Sequence, residues 1–272
     1  MHSRFNIFIV IFATLMISIG SPAFAETLSF KSLGKKAQSL SGELHLPTVG
    51  SKPFPAVVMI HGTDFSGERY DFHRPAFLEA GIAVFEVDFH SGIYTNGKNR
   101  PKAGKMVPFA FGALRTLRAQ PSIDGNRIAI MGFSLGGAIT VKSMKIELKN
   151  ASLNADEKGF AAHVAFYPAC KRQKLDKNVI GAPLLVLSGE LDSYSDGKSC
   201  KKWANDYEQT NPGLVTMKIY PGAHHGFDKK GSHRGSDSIS SGGISIQEYN
   251  EKAANDSRRQ AVNFIKQVFE IK

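Results

Sequence analysis

Cysteine is scarce in this chain: Cys170 and Cys200 are the two in 272 residues. That is too few for a scaffold held by several disulfides or for a cysteine-rich metal module. The histidines show no spacing of a zinc site, so no metal ligand set is expected. Acidic residues are also short, with 24 Asp and Glu against 34 Lys and Arg and a formal charge of +10. The basic residues are spread along the chain and are not interleaved with a stacking stripe of aromatics. This argues against a nucleic-acid partner and for a basic, solvated surface. Beyond the first 25 residues no apolar run is long enough to cross a bilayer. No internal repeat and no Pro- or Ser-rich linker divides the chain, which leaves one folded unit from residue 26 to 272.

The exceptional segment is the first. Arg4 precedes an apolar stretch from Phe5 to Ile19, and Ala23-Phe24-Ala25 has the small-x-small form of a cleavage site. Residues 1–25 therefore read as a secretory signal peptide, with a mature chain starting at Glu26 in a periplasm or outside the cell. Ser18, Gly20, Ser21 and Pro22 interrupt the apolar run, which disfavours a membrane anchor and any stable insertion after cleavage. Export also frees Cys170 and Cys200 to pair with each other, the alternative being two unconnected buried thiols. A bridge closing about 30 residues would add about 3 to 4 kcal/mol of stability by chain entropy.

Two alternating stretches, Leu28 to Leu33 and Leu40 to Leu46, read as antiparallel entry strands with one solvated face. The pattern then changes to continuous apolar runs at Ala56 to Ile60, Ile82 to Val87, Ile128 to Met131, Ala161 to Phe166 and Leu184 to Leu187. Such runs fit strands buried on both faces. A last strand is marked by Val215, Met217 and Ile219. Between them lie helical patterns: Tyr70 to Ala80 stopping at Gly81, the spaced apolar set Val107 to Leu117, the stretch after Ser134 through Met144, and Lys198 to Tyr207. Ala254, Ala261, Ile265 and Val268 mark a closing helix. Strands alternating with helices predict an α/β fold with a mostly parallel sheet of about eight strands covered on both faces.

Within that frame Gly132-Phe133-Ser134-Leu135-Gly136 follows an apolar strand and opens a helix. This is the form of a nucleophile elbow, in which a serine sits in a strained tight turn and its flanking glycines keep the turn clear. The N–H of Leu135 then lies at a helix N-terminus, where negative charge is favoured. In a parallel sheet, ligands gather at the carboxyl ends of the strands. There the sequence places His61-Gly62-Thr63, Ser134, Asp192 and the pair His224-His225. The order Ser, Asp, His is that of an α/β-hydrolase. Glu190 competes with Asp192 and His224 with His225, while Asp196 reads as the cap of the helix entering Lys198. His61 is expected to shape the loop rather than to move protons, and His163, inside an apolar strand, to be a satisfied core histidine. His73 and His233 show no partner pattern.

These motifs resemble the dienelactone hydrolase family of the α/β-hydrolase superfamily. The resemblance covers nearly the whole chain after the leader. It rests on His61-Gly62, on Ile123-Asp124-Gly125-Asn126-Arg127-Ile128 running into Gly132 to Gly137, on Gly189-Glu190-Leu191-Asp192, and on Tyr220 to Phe227 with its His-His-Gly-Phe. It implies Ser134 as nucleophile, Asp192 as acid and His225 as base. The family's namesake enzymes carry cysteine where this chain has Ser134, which favours a broader serine esterase acting on a small ester or lactone. The backbone N–H groups of Leu135 and Thr63 would form the oxyanion hole, and the chemistry needs no cofactor or metal.

Two other readings stay open on the sequence: a peptidase of the prolyl oligopeptidase type lacking the propeller, and a hydrolase-fold binding protein without catalysis. Two basic groupings, Lys98, Arg100, Lys102 and Lys105, then Lys229, Lys230 and Arg234, fall in loops near the expected site and raise the prospect of an anionic small-molecule substrate. Residues 229 to 245, rich in Gly and Ser, read as a long loop that is either an insertion or a flap over the site.

Overall fold

The computed structural model describes residues 25–271 except 35, 64–66, 90–100, 171–172, 174–176, 196, 233–237 and 241–242, and except the side chains of 238–240 and 243–245. The proposed leader, apart from Ala25, therefore lies outside the described residues, as do Lys98, Arg100, Asp196, His233 and Arg234.

Eight strands form one sheet: β1 (Ala25–Lys31), β2 (Ser39–His45), β3 (Phe54–Ile60), β4 (Ala83–Asp88), β5 (Ile123–Phe133), β6 (Ala162–Phe166), β7 (Leu184–Gly189) and β8 (Val215–Tyr220). Their spatial order is β1-β2-β4-β3-β5-β6-β7-β8. Strands β3 to β8 are mutually parallel, while β2 runs antiparallel to β4 and β1 to β2. This is the expected mixture of two entry strands and six parallel ones. The helices are α1 (Gly67–Glu79), α2 (Ala103–Arg118), α3 (Leu135–Ser143), α4 (Ile146–Asn150), α5 (Gly197–Thr210) and α6 (Glu251–Val268). Among the described residues no helix is long and apolar enough to cross a membrane.

The continuous apolar runs are explained by which face each residue supplies. Every residue of β3 is buried. Ala56, Val58 and Ile60 join a core with α2, whereas Val57 and Met59 join a second core with α1 and α6. Strand β5 divides likewise, Ile128 and Ile130 to one side and Ala129, Met131 and Phe133 to the other. Successive side chains of a strand point to opposite faces, so a strand covered twice has no polar position to spare. A third cluster, with Val186, Trp203 and Tyr207, encloses Cys170 and Cys200, which are joined as a disulfide between the β6 exit and the first turn of α5.

Two boundaries differ from the periodicity. Strand β5 starts at Ile123, five residues before its apolar run, because the polar stretch 124–127 is held by its own contacts: Asp124 accepts from the Asn126 N–H at 2.9 Å and from Arg127 Nε at 2.7 Å. The segment 229–245, read as a loop, contains two three-residue strands, β9 (Ser238–Ser240) and β10 (Gly243–Ser245), paired antiparallel. Strands that short carry too few residues for an alternation to be seen.

Candidate active site

The chain leaves β3 on one side of the sheet to make β4, then returns to make β5 on the other, so the order reverses between β3 and β5. A crevice opens at such a switch point, at the carboxyl ends of the strands. Ser134 stands there, one residue past β5, at φ 53° and ψ −107°. A side chain in that region costs on the order of 1–3 kcal/mol, and it persists only when its surroundings dictate it. They do: the Ser134 N–H donates to Phe166 O at 3.0 Å and its carbonyl accepts from the Ala138 N–H at 2.9 Å. A Cβ on Gly132 would lie 2.2 Å from Gly136 O, and one on Gly136 would lie 2.2 Å from Ile60 O. Both glycines are therefore set by close approach, which presses the start of α3 against the end of β3.

Asp192 and His225 reach Ser134 from the exits of β7 and β8. The Asp192 carboxylate is buried, and Oδ1 accepts the backbone N–H groups of Tyr194 at 2.9 Å and Ser195 at 2.7 Å. Its Oδ2 faces His225 Nδ1 at 2.8 Å. His225 Nε2 lies 2.9 Å from Ser134 Oγ. The three side chains thus form one hydrogen-bonded line, in which Nδ1–H donates to the carboxylate and Nε2 accepts the serine hydroxyl. The loop bearing His225 is seated against the β7 exit: the Leu191 N–H donates to Ala223 O at 2.9 Å, and a Cβ on Gly189 would lie 2.3 Å from that same carbonyl. Tyr167 and Tyr194 flank the imidazole, at centroid distances of 4.7 and 5.2 Å.

The rival residues face elsewhere. Glu190 Oε2 accepts from the Gly222 N–H at 3.0 Å and braces the loop from its exposed side. His224 Nδ1 lies 3.2 Å from Leu191 O, and its Nε2 is 3.7 Å from Glu248. His61 Nδ1–H donates to Gly62 O at 2.6 Å while Nε2 accepts the Phe89 N–H at 3.1 Å. With one ring nitrogen donating and the other accepting, His61 is a fixed neutral imidazole that ties the end of β3 to the end of β4. Leu135 is the first residue of α3, and Thr63 is exposed in the bend after β3.

Three findings depart from the sequence. His73, which shows no partner pattern in the sequence, is fully buried and has a partner 155 residues away: its Nε2 lies 2.9 Å from Asp228 Oδ2. Asp228 is fully buried too, and accepts the Tyr167 hydroxyl at 2.6 Å with Arg69 Nε 3.6 Å away. Burial pushes its carboxyl up, but the His73 hydrogen bond, the Arg69 charge and the Tyr167 hydroxyl outweigh that and hold it below the usual carboxylate range. Burial pulls the His73 pKa down, and its Nδ1 has no hydrogen-bond partner among the described residues, so the ring is neutral with Nε2–H donating. Asp228 directly follows His225-Gly226-Phe227, and a carboxylate so near the site histidine was the one available clue. His163 is buried as expected but not satisfied, since neither ring nitrogen has a hydrogen-bond partner among the described residues. Desolvation lowers its pKa to about 3, so it stays neutral at ordinary pH.

Beside Ser134 opens a cavity of about 680 Å³, walled by the start of α2, by Leu135, Ala138 and Lys142 of α3, and by Tyr194. Lys102 and Lys105 of the first basic grouping line it. Lys230 of the second instead lies over the Phe72 ring at 5.7 Å. Away from the crevice, Glu43, His45 and Glu86 bring three ligand-type atoms within 4.8 Å of one another. Arg74 already holds Glu86 there with two bonds of 2.7 and 2.9 Å, so the cluster has its cation.

Comparison with known proteins agrees with this geometry. The pattern of the dienelactone hydrolase family matches residues 43–269. The chain belongs to the dienelactone hydrolase family. Among solved structures, a dienelactone hydrolase-like promiscuous phosphotriesterase, P91, from metagenomic libraries superposes with a TM-score of 0.69 at 19% identity, over 90% of this chain and 98% of that one. Apo esterase 2 of Thermogutta terrifontis gives 0.67 at 16% identity, over 95% and 99%. These family likenesses establish the α/β-hydrolase fold. Esterase FrsA of Yersinia pestis is 36% identical over 108 residues, 38% of this chain and 25% of that protein. The family member described here thus spans about a quarter of the length of the curated relatives it matches.

Proposed function

We propose that this chain is an exported serine hydrolase that cleaves a small ester or lactone through an acyl-enzyme. The observation that carries the reading is the unbroken line from Ser134 Oγ to His225 Nε2 at 2.9 Å and from His225 Nδ1 to Asp192 Oδ2 at 2.8 Å. A neutral serine hydroxyl is a weak nucleophile. His225 takes its proton as Oγ bonds to the acyl carbon, and gives that proton to the departing alkoxide. Asp192 holds the tautomer that leaves Nε2 free to accept, and stabilises the imidazolium while it exists. Its other oxygen is committed to two backbone N–H groups, so the carboxylate cannot swing away. The oxyanion is met by the N–H of Leu135, at the positive end of α3, and by that of Thr63. Each such donor contributes about 3 to 4 kcal/mol in the transition state. Water, with His225 again as base, then releases the acid and restores Ser134.

Membership of the dienelactone hydrolase family and the esterase relatives support ester hydrolysis. Thermogutta esterase 2 is solved phosphorylated by paraoxon, which makes an organophosphorus reagent the natural probe. Incubated with a fluorophosphonate, the protein is expected to gain one adduct by intact mass, absent in Ser134→Ala. A wild-type protein that stays unlabelled and inert toward 4-nitrophenyl butyrate would leave the binding-protein reading in place. Export is tested separately, by finding Glu26 as the N-terminus of protein recovered outside the cytoplasm.

A further inference from the structure

The turn that carries Asp192 is tied in two directions. At its start it is bound toward β8, where the Glu190 N–H donates to Tyr220 O and the Leu191 N–H to Ala223 O, both at 2.9 Å. At its far end it is bound toward β6 by the side chain of Ser195, which is fully buried. The Ser195 hydroxyl donates to Tyr167 O at 2.7 Å and accepts the Ala169 N–H at 2.9 Å. Its backbone N–H donates to Asp192 Oδ1 at 2.7 Å. The segment that Ser195 grips is strained: Tyr167 and Ala169 stand at φ 38° and 53°, in the left-handed region that residues with a side chain seldom adopt. Such a conformation persists only where its surroundings dictate it, and the hydroxyl bonds across this turn to the carbonyl of one residue and the N–H of the other. Both segments end on the same imidazole. The Tyr167 ring packs on His225 at 4.7 Å, and Asp192 Oδ2 meets His225 Nδ1 at 2.8 Å. A buried hydroxyl with its bonds made supports folding wherever it stands. What is particular here is that the two segments it joins are the two neighbours of the site histidine.

We propose that Ser195 is a positioning residue of the hydrolytic site: by locking the β6 exit to the Asp192 turn it fixes the His225 imidazole between its two neighbours and keeps Nε2 in line with Ser134 Oγ. The inference rests on the serine hydrolase reading and adds a residue to it. Ser195 does not line the cavity beside Ser134, so its loss is expected in kcat and not in KM. A small displacement of the base is enough, since a misplacement of about 1 Å can cost about 10²-fold in rate.

The full-length mature protein and its variants are assayed on 4-nitrophenyl butyrate well below each thermal midpoint. Ser195→Ala is expected to lower kcat by about 10- to 100-fold with KM changed less than about threefold, and to slow labelling by a fluorophosphonate by a similar factor. Ser195→Thr keeps the hydroxyl and should regain most of that kcat. Leu44→Ala, which empties a buried site on β2 away from both segments, should lower the thermal midpoint at least as far while kcat stays within about twofold. If Ser195→Ala does not fold, Ser195→Cys takes its place, because its thiol fills the site but bonds weakly, and should lower kcat about threefold or more. An unchanged kcat in the variant that folds, or a loss equalled by Leu44→Ala, overturns the proposal while hydrolysis by the wild type keeps the hydrolase reading intact. A wild-type protein that neither cleaves the ester nor takes the fluorophosphonate removes the hydrolase reading and this inference with it.

Discussion

Two histidine–carboxylate pairs of nearly equal length lie on either side of Tyr167, His225 with Asp192 at 2.8 Å and His73 with Asp228 at 2.9 Å. The first sits at the crevice, and its far nitrogen meets a serine hydroxyl. The second is sealed among Phe72, Phe133 and Phe166, and its far nitrogen meets no hydrogen-bond partner among the described residues. Their carboxylates differ as well. Asp192 is held by backbone N–H groups of its own loop, whereas Asp228 is held by Arg69 and by the hydroxyl of the ring that packs on His225. The same chemical pair thus belongs to the proposed proton relay in one place and is a buried strut in the other. What separates them is the third group on the histidine and the access of solvent to it.

The sharpest way to break the comparison is to mutate each pair and read both activity and folding. Ser134→Ala, His225→Ala and Asp192→Asn are each expected to lower kcat on 4-nitrophenyl butyrate by about 10⁴-fold while the thermal midpoint changes little. Asp228→Asn should do the reverse. It leaves Arg69 buried without its carboxylate and is expected to cost about 3–5 kcal/mol in urea denaturation. The activity of the fraction still folded should fall less than about tenfold, since Asp228 touches neither Ser134 nor Asp192 and meets the His225 ring by way of Tyr167. Equal losses of kcat for Asp192→Asn and Asp228→Asn in folded protein would erase the distinction.

The crevice pair was legible in the sequence because each member stands just past an apolar strand, where periodicity and turn residues locate it. Gly132 and Gly136 around Ser134, and Gly189 before Asp192, mark the same exits from a second direction. The buried pair left no such trace. His73 lies within α1 and Asp228 in a loop, 155 residues apart, and their meeting depends on how α1 docks on the sheet, which no local pattern encodes. Strands β3 to β7 were readable because continuous apolar runs need two covered faces, and β1, β2 and β8 because their apolar residues alternate. Residues 238–245 were not, because strands of three residues lie below any periodicity. The basic grouping before α2 pointed toward the cavity, but Lys142 and Lys145 join it only through the contact of α2 with α3.

A third histidine extends the contrast, having neither carboxylate nor hydroxyl. His163 is neutral in the folded protein down to about pH 3, while in the unfolded chain it binds a proton near its ordinary 6.5. Between those values the unfolded state holds more protons, so folding stability is lost as pH falls through that window. The loss is on the order of a few kcal/mol by pH 4. His163→Leu, close in volume, should flatten the slope of stability against pH in that range. Denaturant midpoints at pH 7, 5.5 and 4 test this, and identical slopes for the two proteins would remove His163 from the acid response.

The smallest expected effect is at His224, adjacent in sequence to the proposed base yet turned from it. Its Nδ1 contacts Leu191 O at 3.2 Å and its Nε2 faces Glu248 at 3.7 Å, so both ring nitrogens are engaged away from Ser134. His224→Ala removes one such hydrogen bond, worth about 1 kcal/mol of stability. It is expected to lower kcat less than about threefold and to leave the pH dependence of kcat/KM in place, because that profile reports the group that accepts the serine proton. His224→Gln keeps an amide able to donate to Leu191 O and should restore the midpoint lost in His224→Ala. A loss of activity at His224 comparable with that at His225 would mean that the imidazole 2.9 Å from Ser134 Oγ is not the base, and the division between relay and support in this loop would have to be redrawn.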